Sequence, residues 1–248
     1  MIKKIIWISV IVLVIFAVWF LISSLFRSNK TELYILQETH MILYDEEAQL
    51  TVHYFTNHED FKFIDSDTVV FLQNDDSTFK FPIDYIHVKP YHNEVYFDTL
   101  YYGYELSFKL PELTGNYHLN KAYLYFERDN KQVRYSLGEL YVEYLEDYHM
   151  YPFTSLEGIK KNTPHLSQII VDSNNIMSPY KVYIGPYEAS FFHSDEMLVV
   201  NIPTVIRYLF SNTYVKVLID NETYIVPQFN YFRNYEQLES GFVEKYTI

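Results

Sequence analysis

Residues 106–126 read LSFKLPELTGNYHLNKAYLYF, and the fold follows from the break in their middle. Leu106, Phe108 and Leu110 alternate with Ser107 and Lys109, the period-two pattern of a strand with one buried face. Pro111-Glu112-Leu113-Thr114-Gly115 breaks that pattern. Tyr117 then starts a new run that continues through Leu119 to Phe126.

The same texture recurs on both sides. Leu50, Val52 and Tyr54 alternate with Thr51, His53 and Phe55, and DTVVFLQ and STFKFPI flank a turn signal at Asn74–Ser77. EVYFDTLYY, YELSFKL, KAYLYF and QVRYSLGELYVEYL follow, rich in the Tyr, Phe, Val and Thr that suit half-buried strands. Val133, Tyr135 and Leu137 define one inward phase, whereas Leu140, Val142 and Tyr144 define the other. A one-residue bulge at Leu137-Gly138-Glu139 would restore a single buried face. Short strands at this spacing predict a mainly β body, an antiparallel sandwich.

Leu113-Thr114-Gly115-Asn116-Tyr117-His118-Leu119 resembles the tyrosine corner of immunoglobulin-like sandwiches, which lies at the turn into their sixth strand. The resemblance covers residues 31–147. It implies that the Tyr117 ring packs at the sheet edge with its hydroxyl bonded to backbone near Pro111–Leu113. It also implies that Leu119 fills the position of the second cysteine in antibody domains. No tryptophan stands on the candidate third strand. Continuing the phase of Tyr117 and Leu119 would point Lys121 inward unless a bulge near Asn120-Lys121 shifts it.

Residues 148–165 read as a linker with a short helix over Ser155–Lys161. Residues 166–248 read as a smaller β-rich domain. Within it Ile202, Val205, Ile206, Leu209 and Phe210 have helical spacing behind Asn201 and Pro203, which predicts one helix. VVFLQNDDSTFKFPIDY (69–85) and VKVLIDNETYIVPQFNY (215–231) echo each other, as two hairpins or as the trace of a duplication.

Residues 1–30 read differently. From Ile5 to Phe26 no charge occurs, and as a helix this run would be about 33 Å long, enough to cross a bilayer. Trp7 and Trp19 lie toward its ends, where amphipathic rings favour the interface. The run is long for a cleavable signal peptide, and no A-x-A-like site follows it. The expectation is a retained single-pass anchor with a cytoplasmic N-terminus and an extracytoplasmic body.

The net charge is −13, and every acidic residue lies beyond residue 30. A body of that sign repels nucleic acid and anionic headgroups. There is no cysteine, hence no disulfide framework and no thiolate metal site. The combination suits a bacterial cell surface.

Chemical signatures are sparse. The sequence has no glycine-rich phosphate loop, nucleophile elbow or H-E-x-x-H. His53, His58-Glu59-Asp60, His87 and His92 lack metal-ligand spacing. Asp65-Asp67, Asp75-Asp76 and Asp195-Glu196 read as turn residues, with weak calcium sites as the sharper alternative. No catalytic residue, cofactor or metal is assigned. The candidate interaction surface is Tyr91, Tyr96, Tyr101, Tyr102 and Tyr104, since tyrosine offers contact area with few rotors and a polar tip. The expected function is binding or adhesion, with another protein (a basic one fits the charge) or a surface glycan as partner. The alternatives are an accessory subunit of a membrane transport, secretion or immunity complex, and an enzyme.

Overall fold

In the computed structural model, the described residues are 30–64, 68–128, 131–160, 165–173, 178–194, 196–227 and 236–248. The expected anchor, residues 5–26, and the carboxylates Asp65, Asp67 and Asp195 lie outside them. Among the described residues the structure is almost entirely β, with one 3-10 turn at Leu238–Ser240.

The first strands are β1 (Glu32–Leu36), β2 (Glu38–Leu43), β3 (Gln49–Thr56), β4 (Val70–Gln73), β5 (Lys80–Pro90), β6 (Glu94–Tyr96), β7 (Thr99–Lys109), β8 (Tyr117–Arg128) and β9 (Lys131–Glu143). The remainder are β10 (His149–Met150), β11 (Ser155–Lys160), β12 (Leu166–Asp172), β13 (Lys181–Ile184), β14 (Tyr187–Ala189), β15 (Phe191–His193), β16 (Met197–Asn201), β17 (Leu209–Asn212), β18 (Val215–Ile219), β19 (Glu222–Val226) and β20 (Val243–Thr247).

One large mixed sheet runs β17-β2-β9-β8-β4-β5-β7-β3-β1-β20, with β6 attached to β7. It curls into a half-barrel because two stretches of chain serve both of its halves. The first half of β5 pairs with β4 and the second half with β7, with an irregularity at Tyr85/His87. Likewise β1 pairs with β3, while β2, one residue further on, pairs in parallel with β9. The inner face closes over Leu33, Leu50, Val52, Phe108, Leu72, Leu124, Leu137 and Leu140. Burying each such side chain is worth about 1.5–3 kcal/mol.

The alternation along β8 and β9 is kept by paired irregularities. Asn120 and Lys121 together face the single residue Glu139, and Leu137 is the extra residue on the opposite strand. Lys121 is thereby turned outward, its ammonium 3.7 Å from Asp75. Gly138, at φ 99°, lies so close to β2 that a Cβ would stand 2.3 Å from the Glu38 carbonyl oxygen. No side chain fits there.

Two smaller sheets, β10-β19-β18-β13-β14 and β11-β12-β16-β15, face each other over Ile169, Val171, Val182, Leu198, Val200, Val215 and Val217. Their layout repeats that of the half-barrel. In each unit a short early strand runs parallel to a late one (β2 beside β9, β10 beside β19), and one stretch of chain joins the two groups of strands (β5 within the large sheet, β14–β15 between the smaller sheets).

The two predicted helices are corrected. Ser155–Lys160 is the edge strand β11, whose backbone is satisfied by β12. A helix that short gains little in water, so tertiary pairing wins. Residues 202–208 are irregular, and Leu209–Asn212 form β17 beside β2 in the large sheet. Of the apolar stripe of the expected helix, Ile206 is buried from this irregular path and Phe210 from β17. The C-terminal segment also returns to the large sheet, where β20 pairs with β1 along its whole length.

Candidate functional site

The five tyrosines do not make one patch. Along β7, alternate side chains take opposite faces. Tyr101 points to the outer face, where it is buried against Tyr34 at 5.2 Å in edge-to-face contact, and its hydroxyl donates to Glu32 at 2.5 Å. Tyr96 joins the same cluster, 5.9 Å from Tyr34. Tyr104 points the other way and stacks on Tyr54 at 5.2 Å, its hydroxyl donating to the Glu59 carbonyl. Tyr102 is half-buried opposite Thr56.

Tyr91 lies next to a polar chain on the outer face of β3, β5 and β7. Lys89 Nζ is 2.6 Å from Glu105, whose other oxygen is 3.9 Å from His53 Nε2. His53 Nδ1 is 2.9 Å from Glu38, a fully buried carboxylate, and the Tyr91 ring lies 4.7 Å from the imidazole. Beyond it, Glu94 accepts from the backbone N–H groups of Gln237 and Leu238 at 2.8 Å and meets His92 at 2.6 Å. Burial alone would raise the Glu94 pKa, but the His92 bond and the two N–H donors hold it below the usual carboxylate range. This carboxylate straps the C-terminal segment onto the half-barrel, with Leu238 filling the apolar cluster of Tyr34, Leu36, Phe55 and Tyr101.

A groove of about 490 Å³ opens at the Tyr104 side. Tyr54, Phe61, Phe63, Tyr85 and Tyr104 line it, with Glu59 and Asp60 among its polar groups. Aromatic walls with carboxylates beside them can stack on a sugar ring and accept from its hydroxyls, or take an aromatic or basic side chain.

The second cluster of buried charge had no sequence forecast. Glu139, Tyr141 and Glu143 alternate out of the half-barrel core on β9 and are covered by the unit of the two smaller sheets. Glu139 accepts from Tyr187 Oη at 2.5 Å and meets His118 Nε2 at 2.7 Å. Glu143 accepts from Tyr214 Oη at 2.5 Å and pairs with Lys216 Nζ. Burial, then the negative charge of Glu143, push the Tyr214 and Tyr141 phenols well above the ordinary range.

The remaining sequence candidates are scattered. Tyr117 is half-buried over Phe79 and Phe81, with ring centroids at 5.2 and 6.2 Å, and among the described residues no hydrogen bond ties its hydroxyl to residues 111–113. Leu119 is buried in the core. His58 and His87 take no part in the His53 and His92 contacts described above, and among the described residues no group of three His, Asp or Glu could hold a metal ion. Asp75 pairs with Arg134 at 3.6 Å and accepts from Tyr123 Oη, while Asp76 caps Thr78. No protein-family model matches the chain, and no curated protein is significantly similar to it.

Proposed function

We propose that the chain is a membrane-anchored binding module displayed outside a bacterial cell, and that residues 31–147 follow the immunoglobulin-like plan. The observation that carries the first part is the uncharged run Ile5–Phe26, joined through Arg27–Thr31 directly to β1. An apolar run of that length is a spanning candidate. The acidic, cysteine-free body behind it is built from β-sheets that present faces and edges.

The immunoglobulin-like reading is supported by strand order. β1 and β2 divide one leading strand between the two halves of the large sheet, with its second half parallel to β9. β9, β8 and β4 are neighbours on one side, and β1, β3 and β7 on the other. Tyr117 opens β8, the strand before the last, after the crossing from β7. The binding partner is another protein or a surface glycan, and the aromatic groove beside Tyr104 is its seat. Nucleic acid is disfavoured by the net charge of −13.

Alkaline extraction of membranes tests the anchor. The full chain should stay in the pellet, and deletion of residues 5–26 should release it. A full chain that washes off at high pH overturns the reading. Exchange of residues 5–26 for an unrelated apolar helix should leave binding intact, which separates a plain anchor from a helix that itself docks in a membrane complex.

A further inference from the structure

The β6–β7 hairpin carries an apolar tip that the core does not bury. Phe97 is 83% exposed, Val95 59% and Leu100 44%. Val95 and Leu100 are directly opposite each other across the hairpin. Phe97 and Asp98 form the turn with φ of 47° and 58°, the left-handed pair of a type I′ turn. Asn-Gly or Gly-Gly adopts this turn with little strain, whereas a bulky residue there is strained. The Phe97 ring touches Tyr96 at 4.4 Å, yet most of it stays exposed in a conformation that favours glycine, and strain of this kind is kept where a surface has a task.

Strand register places the tip. β1 begins at Glu32, with Leu33 opposite Thr56, and Thr56 is opposite Tyr102 near the start of β7. The hairpin tip therefore projects beyond the same end of the sheet at which the chain comes in. Tyr101, three residues after Asp98, donates its hydroxyl to Glu32 itself. Ile248, another exposed apolar residue, is held at this end by its N–H bond to the Thr31 carbonyl. Arg27–Thr31, five residues, separate β1 from the uncharged run, so fully extended they reach at most about 18 Å. The unit of the two smaller sheets packs on β2 and β9, farther along from Glu32.

We infer that the hairpin tip is a lipid-contacting wedge, seating Val95, Phe97 and Leu100 in the interface of the bilayer entered by residues 5–26. The inference rests on the anchored reading given above. The ligand is the upper acyl region of a zwitterionic or neutral lipid surface, because the contact is apolar and the acidic body is repelled by anionic headgroups. Tyr96, one residue before Phe97, belongs to the residue type that favours this depth. With helix and wedge both in the membrane, the body has two fixed points and a set tilt, where a single flexible tether would leave it free to swivel.

The chain has two tryptophans, Trp7 and Trp19, both in the apolar run, and this makes a clean test. The full chain is reconstituted into phosphatidylcholine vesicles whose lipids are brominated near the top of the acyl chains. Quenching of Trp7 and Trp19 in the unsubstituted chain reads the anchor. Phe97→Trp in a Trp7→Phe/Trp19→Phe background reads the wedge, and Phe192→Trp in the same background reports a distant exposed position. The signal from position 97 should fall by about half or more and shift to the blue, while the signal from position 192 is unchanged. Quenched Trp7 and Trp19, with the position-97 reporter no more quenched than the position-192 reporter, overturns the wedge and leaves the anchor standing, pointing the tip at a protein partner. Quenching at position 97 without quenching of Trp7 and Trp19 supports the wedge and removes the anchor. Absence of quenching at all three overturns both.

Discussion

In the half-barrel, the stretch that crosses from one half of the large sheet to the other is β5, a single eleven-residue strand with one irregularity at Tyr85/His87. In the unit of the two smaller sheets the same crossing is split at Ser190 into β14 and β15, three residues each. The leading strand differs as well. In the half-barrel it pairs first with β3 and then with β9, whereas in the unit of the smaller sheets it lies first beside β19 and then beside β12. The same strand order is thus closed by different local devices, so the order itself, and not a shared sequence, is what packing enforces. The echo between residues 69–85 and 215–231 makes the point. It joins the β4–β5 hairpin to the β18–β19 hairpin, which occupy different places in the two layouts.

A second contrast concerns the tyrosines that precede matching strands. Tyr117, at the start of β8, packs on Phe79 and Phe81 of its own unit. Tyr214, just before β18, is fully buried and bonds to Glu143 of the other unit. The first fills an edge, and the second fastens the two units together.

The likeness of the two units is tested most severely at a core side chain. Phe108→Ala should cost about 3–5 kcal/mol by chemical denaturation. Because β17 and β20 of the C-terminal region complete the large sheet, both units should unfold in one transition. Two separated transitions would mean that the units are independent. Gly138→Ala is expected to cost about 3 kcal/mol, since it needs φ 99° and collides with β2, whereas Gly115→Ala, with open space around it, should be close to neutral. Tyr214→Phe should cost about 1–3 kcal/mol, because Glu143 loses a buried donor, against less than about 0.5 kcal/mol for Tyr117→Phe. Equal effects at the two tyrosines would erase the contrast.

The smallest effect is pH-linked. Glu94 has its folded-state pKa held below its unfolded value of 4.5, so its contribution is complete above that value and is lost as pH falls through the folded pKa. Acid titration of stability should be shallower below pH 4.5 in Glu94→Gln than in the parent chain. An unchanged slope would show that the C-terminal strap is held by Leu238 and β20 alone.

Much of the half-barrel is legible in the sequence because its strands have one wet face. Leu106, Phe108 and Leu110 betray β7, and the phase change at Gly138 betrays the bulge on β9. Legibility fails where a segment is buried on both faces or paired far away. Glu139 and Glu143 alternate as solvent-facing residues should, and nothing local says that another unit will cover them. Ile202–Phe210 has a helical stripe, yet its last residues are claimed by β2, from the other end of the chain. Of the tyrosine surface, the composition signalled contact area, but the face of each ring depends on register. The apolar tip at Val95–Leu100 carries a visible signal, a Phe-Asp turn where a glycine is usual.

Topology across the membrane is the claim on which the functional reading stands, and the absence of cysteine makes it directly measurable. Val205, 57% exposed on the unit of the smaller sheets, is replaced in Val205→Cys, and intact cells are treated with a membrane-impermeant maleimide. The expected result is full labelling before lysis, at the level reached after permeabilisation. Labelling that appears only after the membrane is opened would place the body inside the cell and contradict this topology.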